Sequence, residues 1–285
     1  MEIKEFKTFE EQVAKLIEHG CEDITSKEYA ITILKRINYY RLTAYFLPFR
    51  DEESQKYDSN KVSLEKIYSI YQFDSELRLL LMEYLEDIEL YFKTQVAYHH
   101  SEQYGALAYK YSKNFNKYHK HDEFMKNLEK ELSYRRKDPI YKHHQFKYDG
   151  EFPLWVLVEF FSFGMTSKFY ADSPNSVQSL IAKDLNIKIT QVRTYLEVAV
   201  VLNSRLYYRS FTKVPGQLPP FMTENVKIKN RLMAQLYAIK QLYIDGDKWN
   251  NNFIPRLRAL FAKYQSSIHL HHLGFTGDWE YVLKK

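Results

Sequence analysis

A single cysteine, Cys21, occurs in the 285 residues. It has no partner for an internal disulfide, and no cysteine-based zinc site can be assembled around it. Glycine and proline are scarce, eight of each. All-β chains spend both freely at turns, so the shortage points to an all-α chain of long helices with few connections. Long apolar runs are missing as well: the longest, residues 154–165, is interrupted by Glu159 and is too short to span a bilayer. The N-terminal Met1-Glu2-Ile3-Lys4-Glu5 lacks the basic-then-apolar layout of a secretory signal. The expectation is a cytoplasmic protein that engages no membrane.

What is present is apolar, aromatic and basic. Hydrophobic residues make up 45% of the chain, with 25 Tyr and 19 Phe, enough for a sizeable core. The formal charge of +5 is concentrated, because residues 110–149 carry eleven Lys/Arg against six Asp/Glu, an excess equal to that of the whole chain. Tyr109, Tyr111, Tyr118, Tyr134, Tyr141 and Tyr148 lie along or beside this stretch. Cations interleaved with aromatic rings suit a phosphate backbone with unstacked bases. A solvated helical hairpin has the same composition, and the stretch by itself leaves both readings open.

Helical periodicity runs nearly end to end. Thr8 and Glu11 form a capping box before the first helix, which Gly20 stops. A second helix is expected over 26–40, then a polar loop over 50–61. The longest periodic segment covers 63–104, with a break expected at Phe73-Asp74, where Asp74 or Ser75 would cap a new start. Further helices are expected over 122–136, after Asp138-Pro139, and over 154–170, 176–185 and 191–202. The Pro-rich linker 214–220 precedes a C-terminal pair at 226–244 and 254–264. Three units follow: an N-terminal helical extension (1–60), a helical core with the basic insertion 110–149 (61–212), and the C-terminal pair (213–285).

Ordered short segments carry a resemblance. They are Thr8-Phe9-Glu10-Glu11-Gln12-Val13, Ile37-Asn38-Tyr39-Tyr40-Arg41-Leu42, Phe73-Asp74-Ser75-Glu76-Leu77-Arg78, and the stretch from Ile88-Glu89 through Lys93-Thr94-Gln95 to Tyr104-Gly105. Pro153-Leu154-Trp155-Val156, Ser204-Arg205-Leu206-Tyr207-Tyr208-Arg209 and the C-terminal Gly274-Phe275 with Asp278-Trp279 complete the set. Each is weak; the order is not. The chain resembles the Abi-like family of bacterial abortive-infection proteins (the AbiD/AbiF group), which are similar to HEPN-type ribonuclease toxins.

That resemblance implies a HEPN-like helical bundle and an R-x4-6-H motif, typically Arg-Asn-x-Cys-Ala-His, directly before the Ser-Arg-Leu-Tyr stretch. Here Val198-Ala199-Val200-Val201-Leu202 passes straight into Asn203-Ser204-Arg205. The motif is absent as a unit while both flanks match, the pattern of a deletion rather than of drift by substitution. In the family reaction a His moves a proton for the attacking 2′-OH, and an Arg neutralises charge building on the phosphoryl oxygens. With both gone no catalytic residue remains, and no metal-independent RNA cleavage is expected. Six helical residues are about 9 Å and 1.7 turns. Val192, Leu196, Ala199 and Leu206 still share a rough stripe, so the helix is expected to close across the gap.

By the same resemblance, the residues expected around the site are Asn203, Arg205, Tyr208, Arg209, Glu89 and Lys93. Those expected to hold RNA are Arg41, Arg135, Arg136, Lys137, Lys142, His143 and His144. The family implies a homodimer and a small RNA antitoxin as partners, with no cofactor and no metal. Arg136 and His143 fit R-x4-6-H formally, but Pro139 breaks the helix between them. Residues 176–202 also read as a helix-turn-helix, presenting Gln191, Arg193 and Thr194 to a DNA groove. That gives the alternative of a non-catalytic RNA- or DNA-binding regulator. His269, His271 and His272 have no carboxylate or cysteine at ligand spacing and are read as a His-rich helix end. Glu86, Asp87 and Glu89 are read as a polar helix face, with Glu89 and Lys93 paired at i,i+4.

Overall fold

The computed structural model describes residues 5–21, 24, 26–51, 53–54, 56–57, 62–203 and 205–285, without the side chains of residues 203, 226 and 227. Helices dominate and no strand occurs among the described residues, as the glycine and proline shortage requires. In α1 (Phe9–Glu18) the capping box closes: the Thr8 amide donates to Glu11 at 2.7 Å and the Glu11 amide to Thr8 Oγ1 at 3.2 Å. Gly20 follows with φ +97°, and a Cβ there would stand 2.5 Å from the Tyr57 carbonyl oxygen. No other residue fits that approach. The helix α2 (Lys27–Arg36) ends earlier than its periodicity suggests. Ile37 is extended, and Asn38 caps the short α3 (Tyr39–Thr43) by accepting from the Tyr40 amide at 2.9 Å. Part of the expected loop over 50–61 lies outside the described residues; within it Arg50 and Tyr57 form an antiparallel bridge.

The spine is α4 (Leu64–Tyr104), 41 residues without a break and so about 60 Å long. The expected interruption at Phe73-Asp74 does not occur, because the Asp74 carboxylate faces inward and takes tertiary donors instead of capping. Ile67, Phe73, Tyr84, Ile88 and Phe92 along α4 are all buried to within 1% of full exclusion. On them pack α7 (Leu154–Leu157), α8 (Phe163–Asp172), α9 (Asn175–Asp184) and the C-terminal α15 (Ile254–Lys263).

Beyond α4 the basic stretch forms α5 (His121–Tyr134) and α6 (Pro139–Lys147), the latter capped by Asp138 with Pro139 in its first turn. The single helix expected over 154–170 is two: after α7 and a 3-10 turn, Phe161 is extended and Ser162 caps α8 through the Met165 amide. Then come α9 and α10 (Ile189–Val200), the short α11 (Pro220–Thr223) and α12 (Val226–Lys229), and the buried α13 (Leu232–Leu242). The last long helix starts at α14 (Gly246–Lys248), passes a π turn (Trp249–Phe253) and continues as α15. Pro255 has no amide hydrogen to give to the preceding turn, and the register slips there. The slip brings the Trp249 and Phe253 rings within 4.1 Å. A final turn, α16 (Trp279–Leu283), closes the chain. Buried residues from Val13 to Leu283 join one hydrophobic cluster, to which all three expected segments contribute.

Candidate functional site

The junction between Leu202 and Asn203 lies against the core. Leu202, Leu206 and Tyr207 are each exposed by 1% or less. The helix does not close across it. α10 ends at Val200, a 3-10 turn takes residues 201–203, and the chain then leaves helical geometry. The cause is Asp74, fully buried on α4. Its Oδ1 accepts from the Leu206 and Tyr207 amides at 2.8 and 2.6 Å, and its Oδ2 from the Tyr45 hydroxyl at 2.7 Å and from the Arg78 guanidinium. In a continued helix those two amides would donate to the carbonyls of residues 202 and 203. A buried carboxylate with four donors outbids them, since charge-assisted bonds are the stronger kind. The sequence offers Asp74 as a helix cap; the signal pointing elsewhere is its place among Ile70, Tyr71 and Leu77, with Arg78 one turn on to pair with it.

Arg205 donates to the Ala44 carbonyl and lies 5.9 Å from the Tyr45 ring centroid. Arg209 stands 4.8 Å over Phe211; burial, then the neighbouring Arg205, hold its guanidinium below the usual value, where it stays charged. Tyr208 has φ +53° and half-exposes its ring beside the Arg231 guanidinium, 4.9 Å from the centroid. Asn203 ends the turn, and its side chain is outside the described residues. On the far side of Val200 an open cavity of about 320 Å³ is lined by Lys168, Arg193, Glu197 and Lys213.

Glu89 and Lys93 do pair, at 2.9 Å with Lys93 nearly buried. They sit fifteen and nineteen residues beyond Asp74 on one straight helix, roughly 22–28 Å away, so α4 does not bring them to the Asp74 node. The expected RNA contacts are likewise divided. Arg41 is exposed on α3, beside the N-terminal part of α4, while the others lie on the α5–α6 hairpin, whose root packs against the C-terminal part of α4 and α8. There Arg135, Arg136, Lys137, Lys142 and His143 are all exposed, and so are Tyr134, Tyr148 and Phe146, the last at 96%. His144 differs: it is buried, its Nδ1 lies 3.1 Å from the Glu151 carbonyl oxygen, and its ring stacks on Phe152. Its ring is committed to holding the hairpin down.

The helix-turn-helix shape is present, with Asn186 left-handed at the turn (φ 53°). Its second helix, however, is packed between α8 and α13. Arg193 bonds Gln178 at 2.8 Å and Thr194 bonds the Thr190 carbonyl at 2.8 Å. A helix covered on two sides cannot enter a groove. Among the described residues no cluster of His, Cys, Asp and Glu has metal-holding geometry, His269, His271 and His272 included. No described helix is long and apolar enough to cross a membrane.

The model of the Abi-like protein family matches residues 32–205, more than half of the chain. The chain belongs to that family. No curated protein and no solved structure matches it. The Abi-like match begins in α2, takes in α4, the basic hairpin and α10, and ends at Arg205, just past the junction. It therefore contains Tyr45, Asp74 and Arg78, the side chains that together with Arg205 lock that junction in place.

Proposed function

We propose that this Abi-like protein is an abortive-infection toxin of the HEPN ribonuclease type in a form that holds RNA without cutting it. The observation that carries the reading is the surface of the α5–α6 hairpin. Five exposed cationic or imidazole side chains (Arg135, Arg136, Lys137, Lys142, His143) are flanked there by Tyr134 on one side and Phe146 and Tyr148 on the other, aromatic rings left open to solvent. Exposed aromatic rings cost solvation unless something stacks on them, and single-stranded bases do so while lysine and arginine neutralise the backbone. Loss of catalysis follows from the junction. Arg205 and Arg209 supply charge, but no side chain in the Asp74 node both moves a proton near neutral pH and reaches a phosphate. The exposed apolar residues Leu79, Met82 and Leu90 of α4 fall within about 80° of one another around the helix and support a homodimer.

Two measurements test the reading. Reinserting Arg-Asn-x-Cys-Ala-His between Leu202 and Asn203 is expected to produce metal-independent RNA cleavage and growth arrest. A folded, restored protein that neither cuts RNA nor slows growth would refute the ribonuclease assignment. Separately, the chain as it stands should bind single-stranded RNA with a steep salt dependence. The triple change Arg135→Glu, Arg136→Glu, Lys137→Glu should weaken it and flatten the salt slope by about two to three. Equal affinity for duplex DNA, or indifference to the triple change, would count against RNA holding by the hairpin.

A further inference from the structure

An open groove of about 760 Å³ lies between α1, the end of α2 and the start of α3. It follows from how these helices meet. α1 packs along α2, with Val13 and Leu16 of the first and Ala30, Ile33 and Leu34 of the second all buried. α2 then stops at Arg36, Ile37 is extended, and Asn38 starts α3. The end of α2 and the two tyrosines that open α3 therefore face the first half of α1 across a gap, and residues 5–7, leading into α1, form the rest of the wall.

The lining is cationic and aromatic. Lys7, Lys15, Lys35 and Arg36 border the groove against a single carboxylate, Glu5. Among the described residues none of the four forms an ion pair. Lys7, Lys35 and Arg36 are exposed and Lys15 partly so, which leaves all four heads within reach of a ligand. Phe6 is 89% exposed and Phe9 is exposed as well, both on the α1 side. On the α3 side Tyr39 and Tyr40 meet edge to face, their rings 5.7 Å apart. Phenylalanines left in water beside unneutralised cations contribute little to the fold and mark a surface that something covers. The volume falls within the roughly 300–1,000 Å³ of sites that take a whole organic molecule, and is too roomy for a bare anion.

We propose that this groove is a second site for single-stranded nucleic acid, in which a base stacks on Phe6 or Phe9 and the adjoining phosphates lie against Lys15, Lys35 and Arg36. An acidic peptide would satisfy the cations but leave the rings in water; a nucleotide segment uses both. The site is separate from the hairpin, since α3 packs on α4 near Asp74 while the hairpin root packs beside the C-terminal part of that helix. Nor does it come from the family match, which starts at residue 32 and leaves out Phe6, Lys7, Phe9 and Lys15. That the strand is RNA rests on the function proposed above; the chemistry of the groove does not.

Fluorescence anisotropy with short labelled single strands of RNA and of DNA, read over a range of salt concentrations, tests this on the full chain carrying the triple hairpin change. Saturable binding outside the hairpin is expected to remain. Adding Lys35→Glu with Arg36→Glu should lower that affinity about tenfold or more and flatten the salt slope by about one to two. Adding Phe6→Ala with Phe9→Ala instead should lower it about ten- to a hundred-fold and leave the slope unchanged, because stacking releases no counterions. If the double change does not fold, Phe6→Ala alone, at a fully open position, should still lower affinity several-fold. Residual binding that ignores the groove changes overturns the proposal, as does its absence when the natural chain binds RNA; either outcome spares the proposed function. Single-stranded DNA bound here by a chain that holds no RNA does the reverse. Polyglutamate bound more tightly than either strand at equal ionic strength overturns the groove in favour of an acidic protein partner.

Discussion

His100 shows what burial does to a titratable side chain in this protein. It faces the core from α4 with its Nε2 3.2 Å from the Asn114 carbonyl oxygen, ringed by Tyr104, Phe115 and Phe169, and its Nδ1 is buried without a partner among the described residues. Desolvation holds its pKa down at about 4, against 6.5 when exposed. The native state therefore resists a proton that the unfolded chain accepts. Stability from this residue is complete above pH 6.5 and lost as pH falls from there toward 4, by about 3 kcal/mol in total. Urea midpoints measured between pH 7 and 4.5 should fall for the natural protein, and fall less for His100→Gln, which keeps the donor to Asn114. Parallel pH profiles for the two would mean that another group governs the slope.

Among the elements, the end of α10 is the most instructive. A helix with an unbroken apolar stripe stops at Val200 because Asp74, far away in sequence, holds the next amides. Asp74→Ala would leave Arg78, Tyr45 and two backbone N–H groups facing a buried gap. The expected cost is about 3–5 kcal/mol, read as a lowered denaturation midpoint. A loss under about 1 kcal/mol would mean that the helix had simply grown through the junction and re-satisfied itself. The α5–α6 hairpin is the opposite case. Its position depends on a few interior anchors, Phe124, Leu128 and His144, while its cations and open rings carry little of the fold.

On the scale of the whole molecule, a spine of about 60 Å carries the Asp74 node in its N-terminal half, while the root of the basic hairpin packs beside its C-terminal part and α8. A second copy docked on the outward stripe of α4 would bring further cationic surface alongside. Leu79→Lys with Met82→Lys, both on exposed positions (65% and 51%), is expected to leave folding intact and convert a dimer to a monomer in sedimentation. A natural protein that sediments as a monomer at micromolar concentration would remove the dimer from the proposed function.

Residue order alone determined the all-helical class, the capping box at Thr8, the cap at Asp138, the two ends of the long helix, though not its continuity through Asp74, and the membership of the Abi-like family. These rest on spacing and on local hydrogen bonding, which neighbours in sequence supply. It misjudged where helices stop inside apolar stretches, at Ile37, Phe161 and Val200, since periodicity reports burial and is blind to the direction a buried chain takes. It read His144 as an RNA contact and His269, His271 and His272 as a His-rich helix end. Only the tertiary structure decided that the first is a packing residue and that the second faces Tyr208 and Arg231, because the groups that satisfy or strand a buried polar atom come from elements scores of residues away.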